Sequence, residues 1–167
     1  MKCFKCRKNE GTILLPSLQK KACPGCFGRI IEKRFSKKIR EMGIREAKLT
    51  MTRPSDKVLA YLFRKKGMRT DSGKRINQET LDDKAVNALK SFFLNRNFYN
   101  YEKSPLESIS EEELAAYAKI NNLEFRENPR SGEDKRIHDL LIELEKRRPG
   151  VMHSIRAFLE KLKGAGD

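Results

Sequence analysis

Residues 1–27 read MKCFKCRKNEGTILLPSLQKKACPGCF, and the four cysteines in this stretch decide the reading of the chain. Cys3-x-x-Cys6 and Cys23-x-x-Cys26 are separated by sixteen residues, which is the spacing of a four-cysteine metal site. Two residues between cysteines let a tight turn aim both sulfurs at one ion, and a second such turn completes a tetrahedron. Gly25 suits a knuckle whose backbone N–H groups point at thiolate sulfur. Four sulfur ligands leave no open coordination position, so the expected role of the metal is structural. The expected ion is one Zn²⁺. Two disulfides and a four-thiolate iron–sulfur cluster are the alternatives. A reducing compartment disfavours the first, and the paired-knuckle spacing ranks the second below zinc.

Working outward, Phe27, Ile30, Ile31, Phe35, Ile39 and Met42 follow at helical spacing and stop at Gly43. The other face of that helix carries Arg29, Lys33, Lys37, Lys38 and Arg40, a basic surface suited to RNA phosphates. The charge balance of the whole chain agrees. Its formal net charge is +14, and residues 1–75 hold 22 Lys and Arg against 6 Asp and Glu, while residues 76–167 hold 15 against 17. A basic half beside a neutral half is the electrostatic footprint of a nucleic-acid binder. No apolar run reaches the length of a membrane span and no secretory signal opens the chain, so a cytoplasmic protein with no membrane partner is expected.

The remaining 44–167 region reads as helix-rich. A short strand is expected at Ala47–Met51, then a helix with Val58, Leu59, Leu62 and Phe63 inward, then a basic loop over Lys65–Lys74. Thr80-Leu81-Asp82-Asp83 opens a helix that turns Leu81, Ala85, Leu89, Phe92 and Phe93 inward. Phe98–Tyr101 reads as strand or loop. Ser110 with Glu113 caps a helix through Asn121, and Leu123–Arg126 suits a strand. Ser131 leads a helix with Ile137, Leu140, Leu141 and Leu144, and a last helix carries Val151, Ile155, Phe158 and Leu162. His138 and His153, in helical patterns without a charged constellation nearby, read as structural or surface residues. Arg136 is the better functional candidate, with an ion pair to Asp139 or Glu133 on its own helix as the alternative.

Three separated segments resemble the TtuA-type tRNA 2-thiouridine synthetases and their eukaryotic cytosolic thiouridylase relatives, which are PP-loop ATP pyrophosphatases with an N-terminal zinc knuckle. They are the cysteine knuckle with its basic helix, Leu81-Asp82-Asp83-Lys84-Ala85, and a third set. The third set runs from Pro105-Leu106 through Ser110–Tyr117-Ala118 to Arg136-Ile137 and Leu144-Glu145-x-Arg147-x-Pro149-Gly150. The resemblance implies an α/β, mostly helical fold: a four-cysteine zinc ribbon at 1–43, and a truncated PP-loop domain with a small remnant sheet at 44–167.

The departures shape the functional expectation. Where the family has Ser-Gly-Gly-x-Asp-Ser, this chain has Thr52-Arg53-Pro54-Ser55-Asp56-Lys57. A phosphate cradle needs inward N–H groups and glycine-like turns, and proline supplies neither. Asp56, Asp82 and Asp83 are then remnants of a nucleotide loop that act as helix caps. A family cysteine in a Glu-Cys-Pro-Tyr segment stands here as Asn128, and no second knuckle follows before Asp167. The resemblance therefore implies a non-catalytic, tRNA-binding accessory subunit of a tRNA 2-thiolation complex, paired with a full-length catalytic paralogue. No ATP and no iron–sulfur cluster are expected. A stand-alone zinc-ribbon RNA-binding protein is the alternative, and an ATP-using enzyme built on the three aspartates is the third reading.

Overall fold

The computed structural model describes residues 1–93, 102–130 and 132–164. Strand β1 (Ile13–Leu15) and strand β2 (Lys20–Ala22) form an antiparallel hairpin in the register Ile13 to Ala22 and Leu15 to Lys20. A 3-10 turn at Pro16–Leu18 closes it, with Gln19 in the left-handed region at φ 49°. Gly11 lies so close to the second strand that a Cβ there would meet the Lys21 carbonyl oxygen at 2.8 Å. Only glycine fits that approach.

Helix α1 (Pro24–Glu41) follows at once, with Pro24 at its first position, where a missing N–H costs nothing. Its Phe27, Ile31, Phe35 and Ile39 are buried and recur at the period of one helix face. They meet Val58, Leu59, Leu62 and Phe63 of α2 (Pro54–Lys65) and Leu114, Tyr117 and Ala118 of α4 (Glu111–Ile120) in one hydrophobic core. Phe35 and Phe63 pack edge to face, with centroids 5.2 Å apart. Cys3, Leu15, Ala22, Cys23 and Cys26 belong to this same core.

A second, smaller cluster holds Leu81, Ala85 and Val86 of α3 (Leu81–Phe93), Leu141 of α5 (Gly132–Arg147) and Met152 of α6 (Val151–Gly164). Helix α4 begins as the sequence predicts. Ser110 Oγ accepts from the Glu113 N–H at 3.2 Å, and Glu113 Oε2 accepts from the Ser110 N–H at 3.2 Å, a reciprocal capping box.

Several expectations need correction. The strand expected at Ala47–Met51 is reduced to one parallel bridge, Lys48 to Arg75. The Lys48 N–H donates to Lys74 O at 3.1 Å, whereas those of Ala47 and Leu49 donate to Arg69 O and Thr70 O. At Thr50 the Gln78 side chain takes over: its Oε1 accepts the Thr50 N–H at 2.7 Å and its Nε2 donates to Thr50 O at 2.9 Å. A side-chain amide thus satisfies backbone groups that a neighbouring strand would have satisfied. Leu123–Arg126 is irregular. Phe92 and Phe93 are exposed, as are Leu140, Leu144 and Phe158, because only a narrow stripe of each helix reaches the small second core. The expectations for Phe98–Tyr101, Ser131 and the Leu162 side chain lie outside the described residues.

Phe35 tests the first core. Phe35→Ala should destabilise the fold by about 3–5 kcal/mol, measured by urea unfolding followed by far-UV circular dichroism.

Candidate metal centre and nucleic-acid interface

The sulfurs of Cys3, Cys6, Cys23 and Cys26 all lie within 4.8 Å of one another. Two different turns present them. In the first knuckle the Arg7 N–H donates to Cys3 O at 2.9 Å, and Arg7 itself, not a glycine, takes the left-handed φ of 56°. In the second, Cys23 is the N-cap residue of α1 and Cys26 sits in its first turn. Gly25 is simply helical, with no positive φ, so the helix start supplies the geometry that the sequence assigned to glycine.

The electrostatics favour the thiolate at Cys3 and Cys6 and oppose it at Cys26. Backbone N–H groups, first that of Cys6 and also those of Cys23 and Lys5, pull the Cys3 thiol down to about 6 against the opposing effect of burial. Those of Asn9 and Lys8 lower Cys6 in the same way. Burial, together with the three other thiols, pushes Cys26 up to about 12. Four converging sulfurs, two of them with amide donors behind them, form a donor set for a thiolate-bound metal centre.

The residues at the loop Thr52–Lys57 join a second constellation. Asp56 is fully buried, and its Oδ2 accepts from the N–H groups of Thr52 and Arg53 at 3.1 and 2.8 Å. Arg53 donates through Nη1 to Asp83 at 2.9 Å and through Nη2 to Gln78 O at 2.5 Å. Arg130 Nη2 reaches Asp83 Oδ1 at 2.7 Å and Glu111 Oε1 at 2.6 Å, and its Nη1 reaches Glu111 Oε2 at 2.9 Å. Asn128, at the position matched to a family cysteine, is buried between Ser55 Oγ at 3.2 Å and Glu111 Oε1 at 2.7 Å. Asp82 accepts the Glu111 N–H at 2.8 Å and faces His138 Nε2 at 3.2 Å.

Asp56 and Asp83 therefore each cap the start of their own helix, since Asp83 Oδ2 also accepts the Thr80 N–H at 3.0 Å, while Asp82 caps α4. Sequence reading missed Arg53, Glu111 and Arg130 as partners, and it took His138 to lack a charged neighbour. The segment Glu127-Asn128-Pro129-Arg130 was the available signal, because the matched cysteine position implied proximity to the loop. Arg136 is exposed and makes no ion pair among the described residues.

On α1, Arg29, Lys33, Lys37 and Arg40 are exposed. Lys37 faces Glu41 at 3.8 Å, and among the described residues no carboxylate pairs with the other three. Lys38 does not belong with them. It is buried, 2.6 Å from Glu107 and 3.1 Å from Glu41, because its place on the helix turns it under the C-terminal helix. Lys38 is therefore removed from the set of candidate RNA contacts.

No protein-family model matches the chain, and no curated protein matches it in sequence. Among solved structures it superimposes on the U34-tRNA thiolase NcsA from Methanococcus maripaludis, determined with its 4Fe-4S cluster. The TM-score is 0.73 at 17% identity, over 97% of this chain and 87% of that one. The chain has the thiolase fold. Two expectations change with this match. A structure of this fold contains an iron–sulfur cluster, and four clustered cysteines are a donor set for such a cluster as well as for zinc, so its exclusion was wrong. The protein it superimposes on is also an enzyme, and nothing in the structure shows this chain to be inactive, so the expectation of a non-enzyme does not stand. Among the described residues no helix is long and apolar enough to cross a membrane.

Two measurements test the constellations. Cys23→Ser should release the bound metal and lower the unfolding temperature. Metal analysis with visible absorption names the centre, since an iron–sulfur cluster is coloured and zinc is not. Arg130→Gln leaves Glu111 and Asp83 without their shared cation and should destabilise by about 3–5 kcal/mol in urea unfolding.

Proposed function

We propose that this protein binds tRNA and acts in tRNA uridine thiolation, with the α1 face of Arg29, Lys33, Lys37 and Arg40 against RNA phosphates. The observation that carries this reading is that face. It consists of exposed cations at helical spacing, of which Arg29, Lys33 and Arg40 have no internal carboxylate among the described residues, and it starts beside the four-cysteine site. Cations of this kind release condensed counterions when they meet phosphate, and that release drives binding. The shared fold with a tRNA thiolase supports RNA as the polyanion.

Such contacts orient an RNA without reading its bases, so selectivity would come from tRNA shape or from a partner. A second chain of the same fold with an intact Ser-Gly-Gly-x-Asp-Ser loop is the partner we propose. The support is local: Arg53 and Pro54 stand at the glycine positions, and Arg53 is already committed to Asp83 and Gln78.

Binding of tRNA should weaken steeply with salt in a filter-binding titration. Replacing Arg29, Lys33 and Arg40 by Glu should lower affinity at least about tenfold and make the slope of log K against log salt shallower, by about one for each phosphate no longer neutralised. Unchanged affinity in that variant, or unchanged tRNA thiouridine after deletion of the gene, would sink the reading.

A further inference from the structure

Away from both constellations, a groove of about 550 Å³ opens between α1 and α6, beneath the turn at Pro16–Leu18. This volume is in the range of small-molecule sites. Arg34, Lys37 and Lys38 line it from α1, His153 and Arg156 from α6, and Leu18 from the turn. The lining holds four permanent cations with the carboxylates of Glu41 and Glu160, and buried Glu113 and Glu107 pair with three of those cations from beneath.

Buried carboxylates hold these cations in place from behind. Arg34 Nη1 donates to both oxygens of Glu113 at 2.8 and 2.9 Å and approaches Ser108 O at 3.5 Å. Arg156 Nη1 donates to Glu107 at 3.3 Å and to Glu160 at 3.1 Å. Each guanidinium thus commits a single nitrogen to the protein. The Nη2 groups of both and the Nε of Arg34 have no acceptor among the described residues, whereas Arg156 Nε is buried and closed to the groove. A guanidinium presents five N–H donors in a rigid fork that matches phosphate. Guanidinium groups from two helices and the Lys37 ammonium line one groove, a donor set suited to a tetrahedral oxyanion with several acceptor oxygens.

We propose that this groove is a phosphate-binding site, in which Arg34, Arg156 and Lys37 hold a phosphate group carried by RNA or by a free nucleotide. Lys37 lies both in the groove and on the basic face of α1, so one RNA could occupy the two surfaces together. The groove itself does not depend on the RNA reading.

His153 reports occupancy. Burial, with Arg34 and Arg156 adding to it, holds its imidazole down at about 4. A phosphate between those two guanidiniums would offset their charge and favour the imidazolium, so its titration should move upward on binding. The chain has only two histidines, and Asp82-bound His138 serves as the internal control.

The experiment is an NMR titration of the two histidines with inorganic phosphate, with AMP and with tRNA. The expected result is a selective upward shift of the His153 titration that weakens at least tenfold in Arg156→Gln. Leu18→Glu, which places a carboxylate at an exposed position of the groove without touching the core, should weaken it similarly and guards against misfolding of the first variant. The probe that acts at the lowest concentration identifies the carrier of the phosphate. No response of His153 to any probe, or a response unaltered by both substitutions, would overturn the proposal. If phosphate and AMP act while tRNA fails to bind at all, the groove stands and the RNA reading falls. Lys33→Glu should weaken tRNA binding while leaving the AMP response intact.

Discussion

The ion pairs of Arg130 with Glu111 and Asp83 join the two cores of the chain at the starts of three helices. One hydrophobic core links the cysteine hairpin with α1, α2 and α4. The other links α3, α5 and α6. Asp82 and Asp83 begin α3, in the second core, while Glu111 begins α4 and Asp56 begins α2, in the first. Arg53 and Arg130 reach between these helix starts, with Asn128 and Ser55 completing the seam. Buried ion pairs contribute little net stability, because desolvation offsets their attraction. Removing one partner is another matter, since a buried charge is then left alone. Their effect is on which arrangement of the two cores is allowed: a shifted α3 would leave carboxylates buried and unpaired.

This seam also bears on the loop that the resemblance assigns to nucleotide. Thr52 and Arg53 direct their N–H groups at Asp56, and the Arg53 side chain lies across Asp83 and the Gln78 carbonyl. Internal groups thus hold these donors and the other carboxylate oxygens, while Asp56 Oδ1 is buried without a hydrogen-bond partner. The sequence departure at Arg53 and Pro54 is therefore matched by a local structure built around it. The polar constellation is shared among four segments far apart in sequence, so its members constrain one another.

Much of this was legible in the chain, for identifiable reasons. Helices were readable because apolar stripes such as Phe27, Ile31 and Phe35 carry the helical period, and the Ser110–Glu113 cap is a local signal. The four cysteines were readable because ligand spacing is a property of short turns. What escaped was non-local. Gln78 replaces a strand neighbour at Thr50 from 28 residues away, and no period in the sequence announces that. Phe92 and Phe93 look like core by composition, but the second core is too small to cover them. Lys38 looked like its neighbours on α1, and only the approach of Glu107 and α6 separates it from them. The metal's identity was not legible either, since zinc and iron–sulfur centres use the same thiolates.

Lys37 and Lys38 show how one helix serves two purposes. Adjacent positions on a helix point about 100° apart, so Lys37 stays exposed while Lys38 turns inward to Glu107. The basic segment that looked uniform in sequence is thereby divided into an exposed row and a buried anchor. The anchor ties α1 to α6 through Glu107, Glu160 and Arg156, and Lys38, Glu160 and Arg156 also line the groove. Lys38 stays charged in spite of burial, because the hydrogen bonds it donates to Glu107 and Glu41 outweigh desolvation and raise its pKa. The cation that is buried away from the exposed row is thus the one that joins α1 to the carboxylates Arg156 also uses.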